Sequence, residues 1–298
     1  LHVLLCLAVR TFGIQSSSFY DFKAIQSTLE NLFLHTFSET IWRILPHPSP
    51  QVNEWLLELR NVNEKTTSFA LIDTDLLEVR WLVRPKATDW WTTLTAFSGD
   101  LVFLHNYRNP EIPEPSDLVV LAAGTGELSW VLPNRVFVKN VDEKRIEVAH
   151  RLPDGIKKIV YNIQAEPFED PIASGKSNFE EAEILTAPSR YTNGDQYYSS
   201  ISSFLFKIAG VKDIQAVDYL ECEPFLVLSY YIYEHDQIAQ YLIIVNRERK
   251  ILRHECIAKA LKGVGMDTFL LKGKVLVYLR NSNEFISLKL TPYNEISD

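Results

Sequence analysis

From residue 39 to residue 290 the chain reads as short apolar or alternating runs parted by Gly, Asn, Asp and Pro. Runs of this kind, bounded by turn residues, predict β-strands. The runs also repeat. LRNVNE at 59–64 and LRNSNE at 279–284 share five of six residues, and LHN at 104–106 is a further copy. Residues 101–130 align with 225–254 without a gap, so that Leu-Val-Phe-Leu (101–104) faces Phe-Leu-Val-Leu (225–228). A third match lays 69–81 on 118–130 and puts Trp81 and Trp130 at one repeat position, 49 residues apart. Four short strands in a period of about 45–50 residues are the pattern of a propeller blade.

The predicted architecture is an all-β propeller of about five four-stranded blades, with an acidic loop and one helix inserted in its second half. Blade one takes strands near 39–45, 53–60, 66–73 and 77–83, and blade two 89–97, 100–107, 116–122 and 127–132. Blade three is weaker, from 134–140, 145–150 and 156–164. Blade four takes 212–221, 224–233, 239–246 and 250–257, and blade five shows 266–272, 274–280 and 284–290. The fourth strand of blade five is expected from Asn31–Phe37, which closes the ring and leaves no open edge.

Residues 165–192 are acidic, contain proline and lack periodicity, so they read as an extended loop. A helix follows, because Tyr197, Ile201, Phe204, Leu205 and Ile208 form one apolar stripe. Asn193 is expected to cap its start and Gly210 to stop it. The whole reads as one domain over 26–298 with an insertion at 165–210, preceded by a separate segment, 1–25.

Composition narrows the function classes. A chain of 298 residues, 46% of them hydrophobic, buries enough surface to need no disulfide or metal staple. Its net charge of −8 speaks against a phosphate-binding groove, which wants a basic face, and so against a nucleic-acid partner. Cys6, Cys222 and Cys256 are odd in number and have no metal or redox spacing, so they are expected as reduced thiols in a cytoplasmic protein. No apolar run approaches the roughly 18 residues of a membrane span. The start is unusual: Leu1 is not an initiator, and the one methionine is Met266. Leu1–Val9 looks like the apolar core of a signal peptide, yet Arg10 follows it instead of preceding it, so an exported form stays open.

The run DLVVLAAGTGELSW (117–130) resembles the repeat of quinoprotein-type β-propellers, in which a Thr-Gly turn leads into an outer strand ending in Trp. Thr125, Gly126 and Trp130 match; Ala122 stands where that repeat carries an acid, and the copies at 69–81 and 241–254 lack the Thr-Gly pair. The resemblance implies a propeller-like blade and no quinone site. The chain as a whole resembles an uncharacterised bacterial β-propeller-like family, a domain of unknown function, which implies no particular activity.

Four predicted innermost strands open on a carboxylate: Glu39, Asp89, Asp213 and Asp267. Equivalent positions of a propeller gather round one mouth of its channel. A ring of carboxylates there raises their pKa values or holds a divalent cation, and two of them at glycosidase spacing serve as acid and base. The plain alternative is a set of solvated strand starts. Trp90 and Trp91 are expected on opposite faces of a strand, one of them beside Asp89 as a ligand platform.

Other residues read as structure. Trp81 and Trp130 suit inter-blade packing, and Arg60, Asn61, Arg280 and Asn281 suit hairpin ends. His254, Glu255 and Cys256 alternate along a strand and do not converge on a metal. Tyr230, Tyr231, Tyr233 and Tyr241 form either an exposed contact patch or an alternately buried strand. No Gly-rich phosphate loop, HExxH or GxSxG motif is present, and no cofactor is expected beyond a divalent cation on the carboxylate ring.

The leading expectation is a non-catalytic module presenting loops round a channel to a protein or small ligand. Its binding residues are Glu39, Asp89, Asp213, Asp267, Trp90 and Trp91. The second is a carbohydrate-active or phosphate-ester hydrolase using the carboxylate ring.

Overall fold

A computed structural model describes residues 28–109, 112–142, 144–152, 155–164, 185–265 and 268–291. Its first strand, β1 (Thr28–Thr36), pairs antiparallel with its last, β21 (Glu284–Thr291). The fourth strand of blade five thus comes from the start of the described chain, as the sequence pattern predicts. Blade one is β2 (Thr40–Pro46), β3 (Glu54–Asn61), β4 (Thr66–Asp73) and β5 (Glu78–Val83). Blade two is β6 (Thr93–Ser98), β7 (Leu101–Asn109), β8 (Ile112–Ala122) and β9 (Leu128–Leu132). Blade three has three described strands, β10 (Arg135–Asp142), β11 (Arg145–Leu152) and β12 (Gly155–Asn162).

The two remaining sheets each gain a strand from the inserted segment. β13 (Leu185–Thr186) pairs with β19 (Phe269–Lys272), which continues into β20 (Val275–Arg280) and β21 as blade five. β14 (Ser189–Thr192) pairs with β15 (Ile214–Cys222), followed by β16 (Phe225–Glu234), β17 (Gln237–Asn246) and β18 (Ile251–Leu261) as blade four. Among the described residues the fold is therefore all-β, five sheets of roughly four strands, with one helix, α1 (Tyr198–Ala209), in the second half of the chain.

Alternation explains why the strands read as nearly unbroken apolar runs. Successive side chains point to opposite faces, and here both faces are covered. Trp55, Leu57 and Ile72 of blade one meet Val275, Val277 and Phe285 of blade five, while Leu56, Phe69 and Leu71 meet Leu94, Val102 and Leu104 of blade two. Phe103, Leu118 and Val120 turn the other way, onto Ile146, Val148 and Tyr161 of blade three. In blade four Val227 and Ile244 face Leu276 and Ile286 of blade five, whereas Leu226, Leu228, Ile243 and Val245 receive Ile201 and Leu205 of α1. The helix thus covers the face of blade four that turns away from blade five.

Three expectations need correction. Residues 89–92 form a turn, and blade two begins at Thr93, because Asp89 Oδ1 accepts the main-chain N–H groups of Trp91 (2.8 Å) and Thr92 (3.0 Å) and closes a local loop. Residues 185–192 are no loop, since they supply β13 and β14. Asn193 does not cap α1: the N-cap is Tyr197, without a side-chain cap bond. Gly210 does end the helix, in the left-handed region at φ 68°.

Candidate functional site

Glu39, Asp89 and Asp213, the three predicted carboxylates among the described residues, have different surroundings. Asp89 is exposed and spends Oδ1 on its own turn, where the Thr92 hydroxyl also donates to it (3.2 Å). Asp213 is exposed as well, at φ 55°, just before β15. Asp267 lies outside the described residues. Among the described residues no group of three or more His, Cys, Asp or Glu side chains is placed to hold a metal ion.

Glu39 lines an open surface depression of about 480 Å³ at the end of blade one. It precedes β2, and its carboxylate is only 8% exposed. Ser68 of β4 donates its hydroxyl to Glu39 Oε1 (2.9 Å), and Arg84, just past β5, approaches the same oxygen at 3.4 Å. Among the described residues no donor reaches Oε2. Glu64 faces Arg84 at 3.8 Å, and Leu82 and Val83 supply apolar wall.

On the same end of blade one, Arg60 stands between two indoles. Its guanidinium carbon lies 5.3 Å from the Trp42 ring centre and 5.1 Å from that of Trp90. Nη2 donates to Thr92 O (3.2 Å), Nη1 to Trp90 O, and Thr67 Oγ1 also donates to Trp90 O (3.2 Å). Trp90 therefore flanks Arg60 within a turn, and does not alternate with Trp91 along a strand beside a channel. Trp42 is 63% exposed, so the clamp presents aromatic surface to solvent, and Trp91, outside the clamp, is 42% exposed. Sequence reading assigned Arg60 to a hairpin end and passed over Trp42. The signal that identifies them is Glu58-x-Arg60, two opposite charges on one strand face, combined with a register that only the paired strands reveal.

The tyrosine run fits neither of its two readings whole. Tyr230 and Tyr231 are adjacent yet both buried, because β16 is covered on both faces, and Tyr233 alone of the three is exposed. Tyr230 stacks on Tyr241 at 5.4 Å, and its hydroxyl meets His254 Nε2 at 2.6 Å. Trp81 and Trp130 pack between blades as expected: Trp81 Nε1 donates to Ala123 O (2.7 Å) in blade two, and Trp130 Nε1 to Ile163 O (3.0 Å) after blade three. Cys222 and Cys256 are free thiols, and burial pushes Cys222 up to about 12, which makes it a poor nucleophile.

Among the described residues no helix is long and apolar enough to cross a membrane. A family model described as a domain of unknown function (DUF4905) matches residues 49–130, the stretch from before β3 to within β9. No curated protein matches the chain. Among solved structures, the chain is similar to a member of the duf4221 family from Bacteroides vulgatus, at 8% identity and a TM-score of 0.28, covering 90% of this chain and 98% of that one. It is also similar to the β-propeller domain of Cps50 (Swd1) from Myceliophteria thermophila, at 8% identity and a TM-score of 0.30, covering 89% of this chain and all of that one.

Proposed function

We propose that the chain is a non-catalytic recognition module, residues 26–298 acting as one propeller-like domain, that takes a small ligand bearing a protonated amine in the Glu39 depression. The observation that carries this reading is the Glu39 carboxylate, held at one oxygen and open to solvent at the other. Ser68 and Arg84 meet Oε1, and a ligand ammonium replaces water at Oε2 through a charge-assisted bond. Leu82 and Val83 receive an aliphatic stem, and Arg84 takes any carboxylate the ligand carries. The free thiols suit a cytoplasmic setting.

A thermal-shift screen tests this with putrescine, lysine and arginine beside sugars, nucleotides and divalent cations, on wild type and Glu39→Gln. An amine at about 100 times its dissociation constant adds about 2.7 kcal/mol of stability to wild type. That gain is lost in Glu39→Gln, which keeps the shape and removes the charge. A ligand that stabilises both proteins equally, or amines that stabilise neither, sinks the reading.

A further inference from the structure

We propose that blade three carries a separate site, for a phosphate-class oxyanion, on the cross-strand row Arg135–His150–Lys157. The register sets these residues abreast: Arg135 of β10 opposes His150 of β11, which opposes Lys157 of β12. Directly opposed residues project from the same face about 5 Å apart, so the two cations Arg135 and Lys157 flank His150 from the strands on either side of it. Elsewhere the same blade pairs opposite charges, with Lys158 on Glu147 (3.0 Å) and Arg145 on Asp142 (2.5 Å). Among the described residues no carboxylate pairs with Arg135, His150 or Lys157. Residues 135–162 hold seven Lys and Arg against four Asp and Glu, in a chain whose net charge is −8.

The row is also prepared for a ligand. Tyr161 Oη accepts from Arg135 Nε (3.3 Å), while the carbonyls of Pro133 (3.4 Å) and Asn134 (3.2 Å) accept from Nη1, so the guanidinium is aimed before anything binds. Among the described residues nothing accepts from its Nη2. Asp117 of β8, the carboxylate facing this turn, accepts the main-chain N–H of Asn134 (2.8 Å). Lys158 and Glu147 lie on the opposite face of the blade. The Arg135 fork, the His150 imidazole and the Lys157 ammonium stand on three neighbouring strands of one face, and a phosphate offers three strong acceptor oxygens to meet them. Lost hydration, then the charges of Arg135 and Lys157, hold His150 below its ordinary pKa. It is the uncharged member of the row and takes up a proton when an anion enters.

The test follows the His150 ring C–H signal of the full chain by NMR, across pH, with inorganic phosphate, methyl phosphate and sodium chloride at matched ionic strength. Phosphate shifts the His150 midpoint upward and saturates; chloride does not. Equal binding of methyl phosphate assigns the site to phosphate esters of larger molecules, and binding of inorganic phosphate alone assigns it to the free ion. Lys157→Gln is on an exposed strand position and weakens phosphate at least about tenfold, while raising the midpoint of the unliganded protein. Lys158→Gln, on the other face, changes neither. No saturating shift with phosphate, the same shift with chloride, or unchanged affinity in Lys157→Gln overturns the assignment.

Discussion

Glu58 and Arg60, two residues apart on β3, form an ion pair of 2.6 Å with both side chains withdrawn from water. Residues at that spacing share one face of a strand, and this face meets blade two. There Glu58 Oε2 accepts from Thr93 Oγ1 (3.0 Å) and from the Leu94 N–H (2.8 Å). Arg60 donates to the carbonyls of Trp90 and Thr92. One buried pair thus ties blade one to the start of blade two and holds the Trp42–Trp90 clamp in place.

Removing one partner leaves the other charged and buried, a loss of about 3–5 kcal/mol. Glu58→Leu is therefore expected to lower unfolding free energy in urea by that amount. Glu58→Leu with Arg60→Met removes both charges and costs less than the two single changes together. Additive losses in this double-mutant cycle show that the two side chains are not coupled.

His105 gives the molecule a sensitivity to mild acid. Its Nε2 accepts the Phe137 N–H of blade three (2.9 Å), so Nδ1 carries the proton and faces Thr95 Oγ1 (3.1 Å). Burial pushes its pKa down to about 4 from an ordinary 6.5. Between those values the unfolded chain binds a proton that the folded chain refuses, so stability is full above pH 6.5 and falls as pH drops towards 4. The loss is on the order of 3 kcal/mol. Urea unfolding across this window, compared with His105→Gln, isolates the contribution, because the variant is less stable at neutral pH and loses less on acidification. Parallel pH profiles exclude His105 as the titrating group.

The blades were legible in the sequence because strands covered on both faces leave continuous apolar runs, and because those runs recur. What was missed depends on backbone pairing and not on apolar period. Ser189–Thr192 holds its place through pairing with β15 and through Arg190, whose guanidinium forks onto Asp218 at 2.7 and 2.8 Å, so its own sequence looks like loop. Asp89-Trp90-Trp91-Thr92 mimics a strand start, but a short Asp acceptor competes with the sheet for the backbone N–H groups. Glu39 was legible as a polar strand start. Its partners Ser68 and Arg84 lie 29 and 45 residues away, and only the register of β2 to β5 brings them to it.

Lys272 joins the last blade to the first. Its Nζ donates to the carbonyls of His47 (2.6 Å) and Val52 (2.5 Å), in the hairpin between β2 and β3. Lys272→Met leaves two main-chain acceptors without that donor, each worth about 1–3 kcal/mol when buried. Burial pushes this amine down to about 8, against the pull of Glu54 and Asp75. Above that pH the folded chain has shed a proton the unfolded chain keeps until near 10.5, so the Lys272 contribution grows as pH rises from 8. Denaturation of wild type and Lys272→Met at pH 7 and pH 9 checks both points, and a gap between them that narrows at pH 9 contradicts the sign.

Gly126 separates two reasons for keeping a glycine. Its φ of 72° lies in the left-handed region, and a Cβ there meets Trp81 Cδ2 and Cε3 at 2.9 Å and Val83 Cγ1 at 3.0 Å. The Trp81 indole is held by its bond to Ala123 O, so it has little room to withdraw. Gly99 has a similar φ of 53° but nothing near its Cβ position. Gly99→Ala therefore reports the backbone cost alone, about 1 kcal/mol. Gly126→Ala adds the overpacking of blade one against blade two, about 1–3 kcal/mol more. Thermal unfolding is expected to show a clearly larger drop in Tm for Gly126→Ala. Equal drops place the whole effect in the backbone and remove the close approach of Gly126 to Trp81 as a reason for the Thr-Gly turn.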